Sequence, residues 1–294
     1  KKVIKRYSAK KAQSNYENNK MRCGAKYKFI QDSKWLEYIE KCVKLGESPG
    51  SAIGRIETEG LQFGVDITER TFYNYVERGI SNITPFDLRF KLRRRAPKHK
   101  KIRENKRKLG KSIEERPENI NSRAEFGHWE GDSVVDKNDN AILVLVERKS
   151  RKCVLYKLPK HDSNTVLEKM KIFLKEYKPK SLTMDNGSEF HRVPQLENED
   201  FICYFTHPYS SFEKGSVENL NGIIRRYIPK GSDISKLTEE DVKRVEMQVN
   251  DMPRKIHGYY TSEEMYQSLT KNEPPTILKK HLDNVIFLTQ KMCI

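Results

Sequence analysis

The chain has 294 residues, with 57 Lys and Arg against 41 Asp and Glu, a net charge of +16. That balance favours polyanionic partners, and the 36% hydrophobic content, with no long apolar run, excludes a helix that crosses a membrane. Five cysteines, at 23, 42, 153, 203 and 293, include no C-x-x-C pair, which argues against a disulfide framework or a cysteine zinc site and for free thiols. No apolar secretory segment opens the chain, and its start at Lys1 rather than Met leaves room for a preceding segment.

Residues 1–28 are basic and polar, with a weak helical spacing of Tyr7, Ala9, Ala12 and Tyr16. Trp35, Leu36, Ile39, Cys42 and Val43 then recur at helical spacing, and Gly46 can end that helix. Ser48-Pro49 suits the start of a second helix running to about Glu59. Thr68 can cap a third, with Phe72, Tyr75 and Val76 on one face and Gly79 at its end. Three short helices with a glycine-containing turn before the last match a helix-turn-helix module, although a plain three-helix core has the same pattern. In such a module the first half of the last helix enters the major groove of DNA; here it offers Glu69, Arg70, Thr71 and Asn74.

Residues 89–113 hold 13 Lys and Arg, among them Arg93, Arg94 and Arg95, and one Glu. Set between two folded parts, this run reads as a tether that lies on phosphates, with an affinity that falls steeply as salt rises.

From Phe126 the pattern becomes that of a sheet. FGHWEGDSVVD is a strand candidate, and AILVLVE (141–147) with KCVLYKL (152–158) forms a hairpin. SNTVLEKMKIFLKEY (163–177) is an amphipathic helix that Ser163 can cap. SLTM leads into the turn at Asn186-Gly187, FICYFT (201–206) is a further strand, and SVENLNGIIRRYI is the next helix. The order predicts an α+β chain with a helical module at 1–88, a basic linker at 89–125, a mixed-sheet α/β core at 126–270 and a C-terminal extension at 271–294.

Asp185 ends a short strand just before the Asn-Gly turn. If the first and fourth strands of the core are neighbours, Asp132 lies beside it and the following helix can deliver Glu218; 52 and 32 residues separate the three acids. At roughly 4 Å and an effective dielectric near 20, each carboxylate pair repels by about 4 kcal/mol, so the three stay ionised together only around a divalent cation. Hard oxygen donors without cysteine suit Mg2+ or Mn2+, and two such ions can serve a displacement at phosphorus. The phosphate loop G-x-x-x-x-G-K-[ST] is absent, which argues against ATP-driven activity.

GHWEGD, T-x-DNG-x-EF and S-F-E-K-G-S-V-E-N-x-N-G-x-I-R-x-Y-x-PKG resemble the DDE transposases of the bacterial insertion sequence 30 family, and the likeness runs from roughly Tyr7 to Met265. The resemblance implies an RNase H-like core shared with retroviral integrases. It implies a catalytic triad of Asp132, Asp185 and Glu218 holding two Mg2+ or Mn2+ ions, and a DNA-facing basic residue at Arg225. It further implies cleavage at terminal inverted repeats and transfer of the 3′-OH end to target DNA. A homodimer or larger assembly in the cytoplasm, on the nucleoid and off the membrane, is expected. SPGSAIGRI and TERTFYNYV match the family's second helix-turn-helix, and a first such module is expected ahead of YSAKKAQ, where this chain starts. Trp129 also fits the integrase-like pattern, whereas Met252 and His257 depart from the family's C-terminal motif and residues 272–294 run past its usual end.

Other groups have plainer readings. Glu130 shares a strand face with Asp132, as an outer ligand or a false triad member. Glu189 reads as solvated, Glu213 as a partner of the positive helix start, His128 as a packed strand residue and His207 as a loop residue. Tyr209, Ser210 and Ser211 are candidates for phosphate contact. Lys214, Arg225 and Arg226 form a basic helix surface, read as DNA contact. Two rival functions stay open: a DNA-binding regulator descended from a transposase, and an RNase H-like nuclease that does not join strands.

Overall fold

The computed structural model describes residues 8–22, 33–88, 109–207 and 210–278. By internal contacts the chain divides into two units, residues 1–53 with 61–91 and residues 54–60 with 92–294. The first holds α1 (Ala9–Arg22), α2 (Ser33–Lys44), the start of α3 (Pro49–Glu59) and α4 (Glu69–Glu77). The faces that the helical spacing predicts are the buried ones: Trp35, Ile39, Cys42 and Val43 on α2, and Phe72, Tyr75 and Val76 on α4. Trp35 meets Phe72 edge-on, with ring centroids 6.0 Å apart. Thr68 caps α4 by accepting from the Thr71 amide. Gly46 and Gly79, with φ of 90° and 66°, take the left-handed conformation where α2 and α4 end.

The second unit is built on a mixed sheet of β1 (Lys111–Ser112), β2 (His128–Val135), β3 (Ala141–Glu147), β4 (Cys153–Leu158), β5 (Ser181–Met184) and β6 (Ile202–Phe205), in the order β1-β6-β5-β2-β3-β4. β3 is antiparallel to β2 and β4, whereas β2-β5, β5-β6 and β6-β1 run parallel. The helices are α5 (Glu118–Asn121), α6 (Ser163–Tyr177), α7 (Gly215–Tyr227), α8 (Glu239–Asn250) and α9 (Ser262–Lys271). β3 is apolar from Ala141 to Val146 because both its faces are covered. Ile142, Val144 and Val146 pack with residues of α7 and α8, and Leu143 and Leu145 pack with Val166, Met170 and Phe173 of α6. This is a mixed-sheet α/β core with helices on both faces, as the order of strands and helices in the sequence predicts.

Two parts of the unit differ from expectation. Lys111–Ser112 pairs with β6 and Arg116 and Ile120 are buried, so residues 109–125 belong to the fold rather than to a tether. The rest of the tether, with Arg93, Arg94 and Arg95, lies outside the described residues. Beyond α7, α8 closes the outer edge of β4: the amides of Cys153 and Leu155 donate to Asn250 and Glu246, each at 2.8 Å. Among the described residues no helix is long and apolar enough to cross a membrane.

Candidate active site

Asp132 and Asp185 meet because of a strand register. β2 and β5 run parallel with His128 opposite Ser181, Trp129 opposite Leu182 and Glu130 opposite Thr183. Carried two residues further, that register sets Asp132 against Asp185, one residue past the end of β5. Asp185 Oδ1 accepts from the Gly187 amide at 3.1 Å, so the Asn-Gly turn folds back on the carboxylate.

Between the two acids stands Lys214. Its Nζ donates to Asp132 Oδ1 at 3.1 Å, to Asp185 Oδ2 at 3.2 Å and to the Gly131 carbonyl at 3.1 Å. Lys214 is 4% exposed, so it is not part of an outer basic helix surface as the sequence suggests; it is the counter-charge of the carboxylate pair. A cation there offsets the repulsion between the two carboxylates.

Glu130 also departs from the sequence reading. It is fully buried, its Oε2 accepts from the amides of Ser216 and Val217 at 2.9 and 3.0 Å, and its Oε1 meets the Arg148 guanidinium. A carboxylate on the first turn of a helix complements its positive end, and this one ties α7 to β2. Further along α7, Asn221 Nδ2 donates to Asp132 Oδ2 at 2.6 Å and Arg225 reaches the Val135 carbonyl at 3.4 Å. Glu218 is exposed on the stretch between Lys214 and Asn221, about one turn from each. Among the described residues no group of three or more His, Cys, Asp or Glu stands close enough to hold a metal ion. The structure therefore gathers Asp132 and Asp185 and leaves Glu218 outside the pair.

Arg225 and Arg226 are half-buried, and burial lowers the pKa of Arg225. Arg70 and Asn74 are exposed on α4, while Thr71 Oγ1 lies 3.0 Å from Thr68 Oγ1 at the cap. His128 is buried with Nδ1 2.8 Å from Ser181 Oγ, and that burial lowers its pKa. Glu213 accepts from the amide of His207 and bonds its ring, which raises the His207 pKa. Glu189 Oε1 lies 3.2 Å from His161 Nε2. Tyr209 and the side chain of Ser211 fall outside the described residues, and Ser210 is half-buried. Asn221 and Arg148 were not singled out from sequence. Asn221 follows Glu218 by three residues, a spacing that shares a helix face and could have marked it.

A family model described as integrase core domain matches residues 122–208, a stretch that includes Asp132 and Asp185 and ends before Glu218. A Streptococcus salivarius protein named probable transposase for insertion-like sequence element IS1161 is 40% identical over 67% of this chain and 58% of its own length. The transposase for insertion sequence element IS4351 of Bacteroides fragilis is 31% identical over 79% of this chain and 72% of its own length. Transposase InsI for insertion sequence element IS30A of Escherichia coli K12 is 36% identical over 54% of this chain and 42% of its own length. The catalytic core domain of BIV integrase covers 50% of this chain and 97% of its own, at a TM-score of 0.40 and 22% identity. On its likeness to these transposases and the order of its DNG and E-K-G-x-x-E-N-x-N-G motifs, the chain belongs to the insertion sequence 30 family of DDE transposases.

Proposed function

We propose that this chain cuts DNA at the terminal inverted repeats of an insertion element and joins the freed 3′-OH end to target DNA. The observation that carries the reading is the register-matched pair of Asp132 and Asp185 converging on one cation. Cores of this family depend on divalent metal in general. Two facing carboxylates, of Asp132 and Asp185, offer the hard oxygen donors such an ion takes, whereas Glu218 stands outside the pair and would have to move in to join them. Asp132, Asp185 and Glu218 would hold Mg2+ or Mn2+, as two ions, which when bound supply Lewis-acid charge at the scissile phosphate.

The chain's own groups set the geometry. Asn221 fixes the orientation of the Asp132 carboxylate, and Glu130 holds α7 so that the face bearing Glu218 lies along β2. In the first step a water oxygen bonds to phosphorus, the bond from phosphorus to the 3′ oxygen breaks, and that oxygen takes up a proton. In the second, the 3′ hydroxyl oxygen bonds to a target phosphorus, and the displaced 3′ oxygen of the target strand is protonated. Residues 1–88 serve as the DNA-binding module through Arg70, Thr71 and Asn74, with Arg93, Arg94, Arg95, Arg225 and Arg226 on phosphates. Residues 126–270 form the catalytic core, and 271–294 an extension. Two element ends are joined, so the working form is a homodimer or larger, in the cytoplasm on the nucleoid.

The test is Mg2+- or Mn2+-dependent cleavage and joining of a labelled DNA end by wild type and Asp185→Asn. Wild type should cut and join, while the variant binds DNA and does neither. Binding without cutting by wild type would leave a DNA-binding regulator; cutting without joining a pre-cut 3′-OH end would leave a nuclease.

A further inference from the structure

Residues 81–88 of the helical unit form a loop that is held on both sides of its tip. The amide and the side-chain Nδ2 of Asn82 donate to the two carboxylate oxygens of Glu40 on α2, at 2.9 and 3.0 Å. Ser81 Oγ donates to the Ile83 carbonyl at 3.1 Å, and Ile83 and Leu88 are buried on either side of the tip. Between them the amide and the hydroxyl of Thr84 both donate to Asp87 Oδ2 at 2.7 Å, and the Asp87 amide donates back to the Thr84 carbonyl at 3.0 Å. This closes a four-residue turn with Pro85 and Phe86 at its centre. Phe86 is 81% exposed, the most of any large hydrophobic side chain among the described residues. Turns of this kind accept most residues at the third position, so the backbone does not call for an aromatic ring there. Thr84, Pro85 and Asp87 around it are exposed too. Among the described residues the ring is thus a single projection with polar neighbours, not part of an apolar patch wide enough for a protein interface.

We propose that Phe86 is a wedge that enters a base step of duplex DNA from the minor groove. The assignment rests on the reading of this unit as a DNA-binding module. Phenylalanine is one of the apolar side chains that proteins push between base pairs, unstacking one step and kinking the duplex by roughly 20–90°. Such a wedge needs a rigid mount and phosphates held close by. The mount is the bonding of Asn82 to Glu40 and of Thr84 to Asp87. The phosphate contacts come from the run 89–113, with 13 Lys and Arg against one Glu, which starts three residues after Phe86. A chain spans at most about 3.3–3.6 Å per residue, so Arg89, Lys91 and Arg93 act within about 25 Å of the ring, less than one helical turn of DNA. The adjoining Asp87 carboxylate is engaged by Thr84, whose hydroxyl and amide hold its pKa below the ordinary value.

The experiment uses the full chain and a duplex element end that carries 2-aminopurine, a base whose emission rises when it is unstacked, at successive positions. A fluorophore pair on the two duplex ends reads the bend. Wild type should raise the 2-aminopurine emission at one step and bring the fluorophores together. Phe86→Ala should lose both signals, while its Tm and its slope of log K against log salt stay those of wild type, because the ring is exposed and uncharged. Phe86→Leu keeps an apolar wedge and should retain part of both signals. The wedge is overturned if wild type binds with no emission rise, or if the rise and the bend persist in Phe86→Ala. A sedimentation shift in Phe86→Ala with unchanged DNA signals also overturns it and assigns the ring to contact with a second copy. Failure of the underlying reading looks different. A wild type that does not bind the duplex at low salt loses both the DNA-binding module and the wedge. One that binds with a steep salt slope and no signal that depends on Phe86 keeps the module and loses the wedge.

Discussion

Glu130 decides how α7 is held, and its removal has a calculable effect. Glu130→Ala deletes the acceptor of the Ser216 and Val217 amides and strands the Arg148 guanidinium, which is 3% exposed. Taking away one partner of a buried ion pair costs about 3–5 kcal/mol, mostly by leaving the other charge uncompensated. Arg148 keeps its bonds to the Ile120 and Asn121 carbonyls, at 3.1 and 3.3 Å, which favours the lower end of that range. For a unit of this size each kcal/mol moves Tm by about 2–4 °C, so the midpoint should fall by roughly 6–20 °C. Glu130→Gln keeps one carbonyl acceptor and the side-chain shape, and should fall between the two. Calorimetry reads the midpoint, and DNA cleavage at a temperature where both proteins are folded reads the second consequence. Because Glu218 and Asn221 ride on α7, activity should drop further than any loss of folded protein explains. A Glu130→Ala midpoint within about 2 °C of wild type, with cleavage unchanged, refutes the view that this carboxylate anchors the helix.

Three further outcomes follow from the same geometry. Trp129 is 1% exposed and meets Phe173 and Tyr177 at ring-centroid distances of 4.9 and 5.4 Å. Trp129→Ala should cost about 3–5 kcal/mol in urea unfolding, and a loss below about 1 kcal/mol would contradict the packing. Burial holds the His257 imidazole down to about 4 against an ordinary 6.5, so the unfolded chain takes up the proton first as pH falls. Its contribution to stability is complete above pH 6.5 and is lost as pH falls toward 4; urea midpoints across that range should fall less in His257→Gln than in wild type. Lys214→Met removes the ammonium from between Asp132 and Asp185. In a Mn2+ titration followed by Tm, the variant should respond at lower metal concentration than wild type, and coincident curves would show that the ammonium does not compete.

The sequence was most legible where local pattern and burial coincide. AILVLVE reads as a buried strand because each face of β3 meets a layer of helices, and the α4 face is legible because Phe72, Tyr75 and Val76 repeat at helical spacing. α8 and α9 fall outside the elements predicted from the sequence, although Thr238 and Thr261 each open a capping box and Val242, Val245 and Val249 repeat at helical spacing. β1 carried no such signal. Two residues at the end of a basic run become a strand only because β6 offers its edge, and such pairing is decided by tertiary structure.

The two charged residues whose roles differ from the sequence reading, Glu130 and Lys214, show why local pattern stops short of a site. An acid on a strand face looks the same whether it meets a helix start or a cation; Glu130 meets the amides of Ser216 and Val217. A lysine near a helix start looks like a solvated charge until the strands are placed. Electrostatic repulsion alone leads from clustered acids to a divalent ion, yet it demands only positive charge, and Lys214 supplies one from within the chain. An ion entering between Asp132 and Asp185 would have to exchange with that ammonium instead of filling a bare acidic site. Its net affinity would then be the difference between two cations, which is what the Mn2+ titration of Lys214→Met reads.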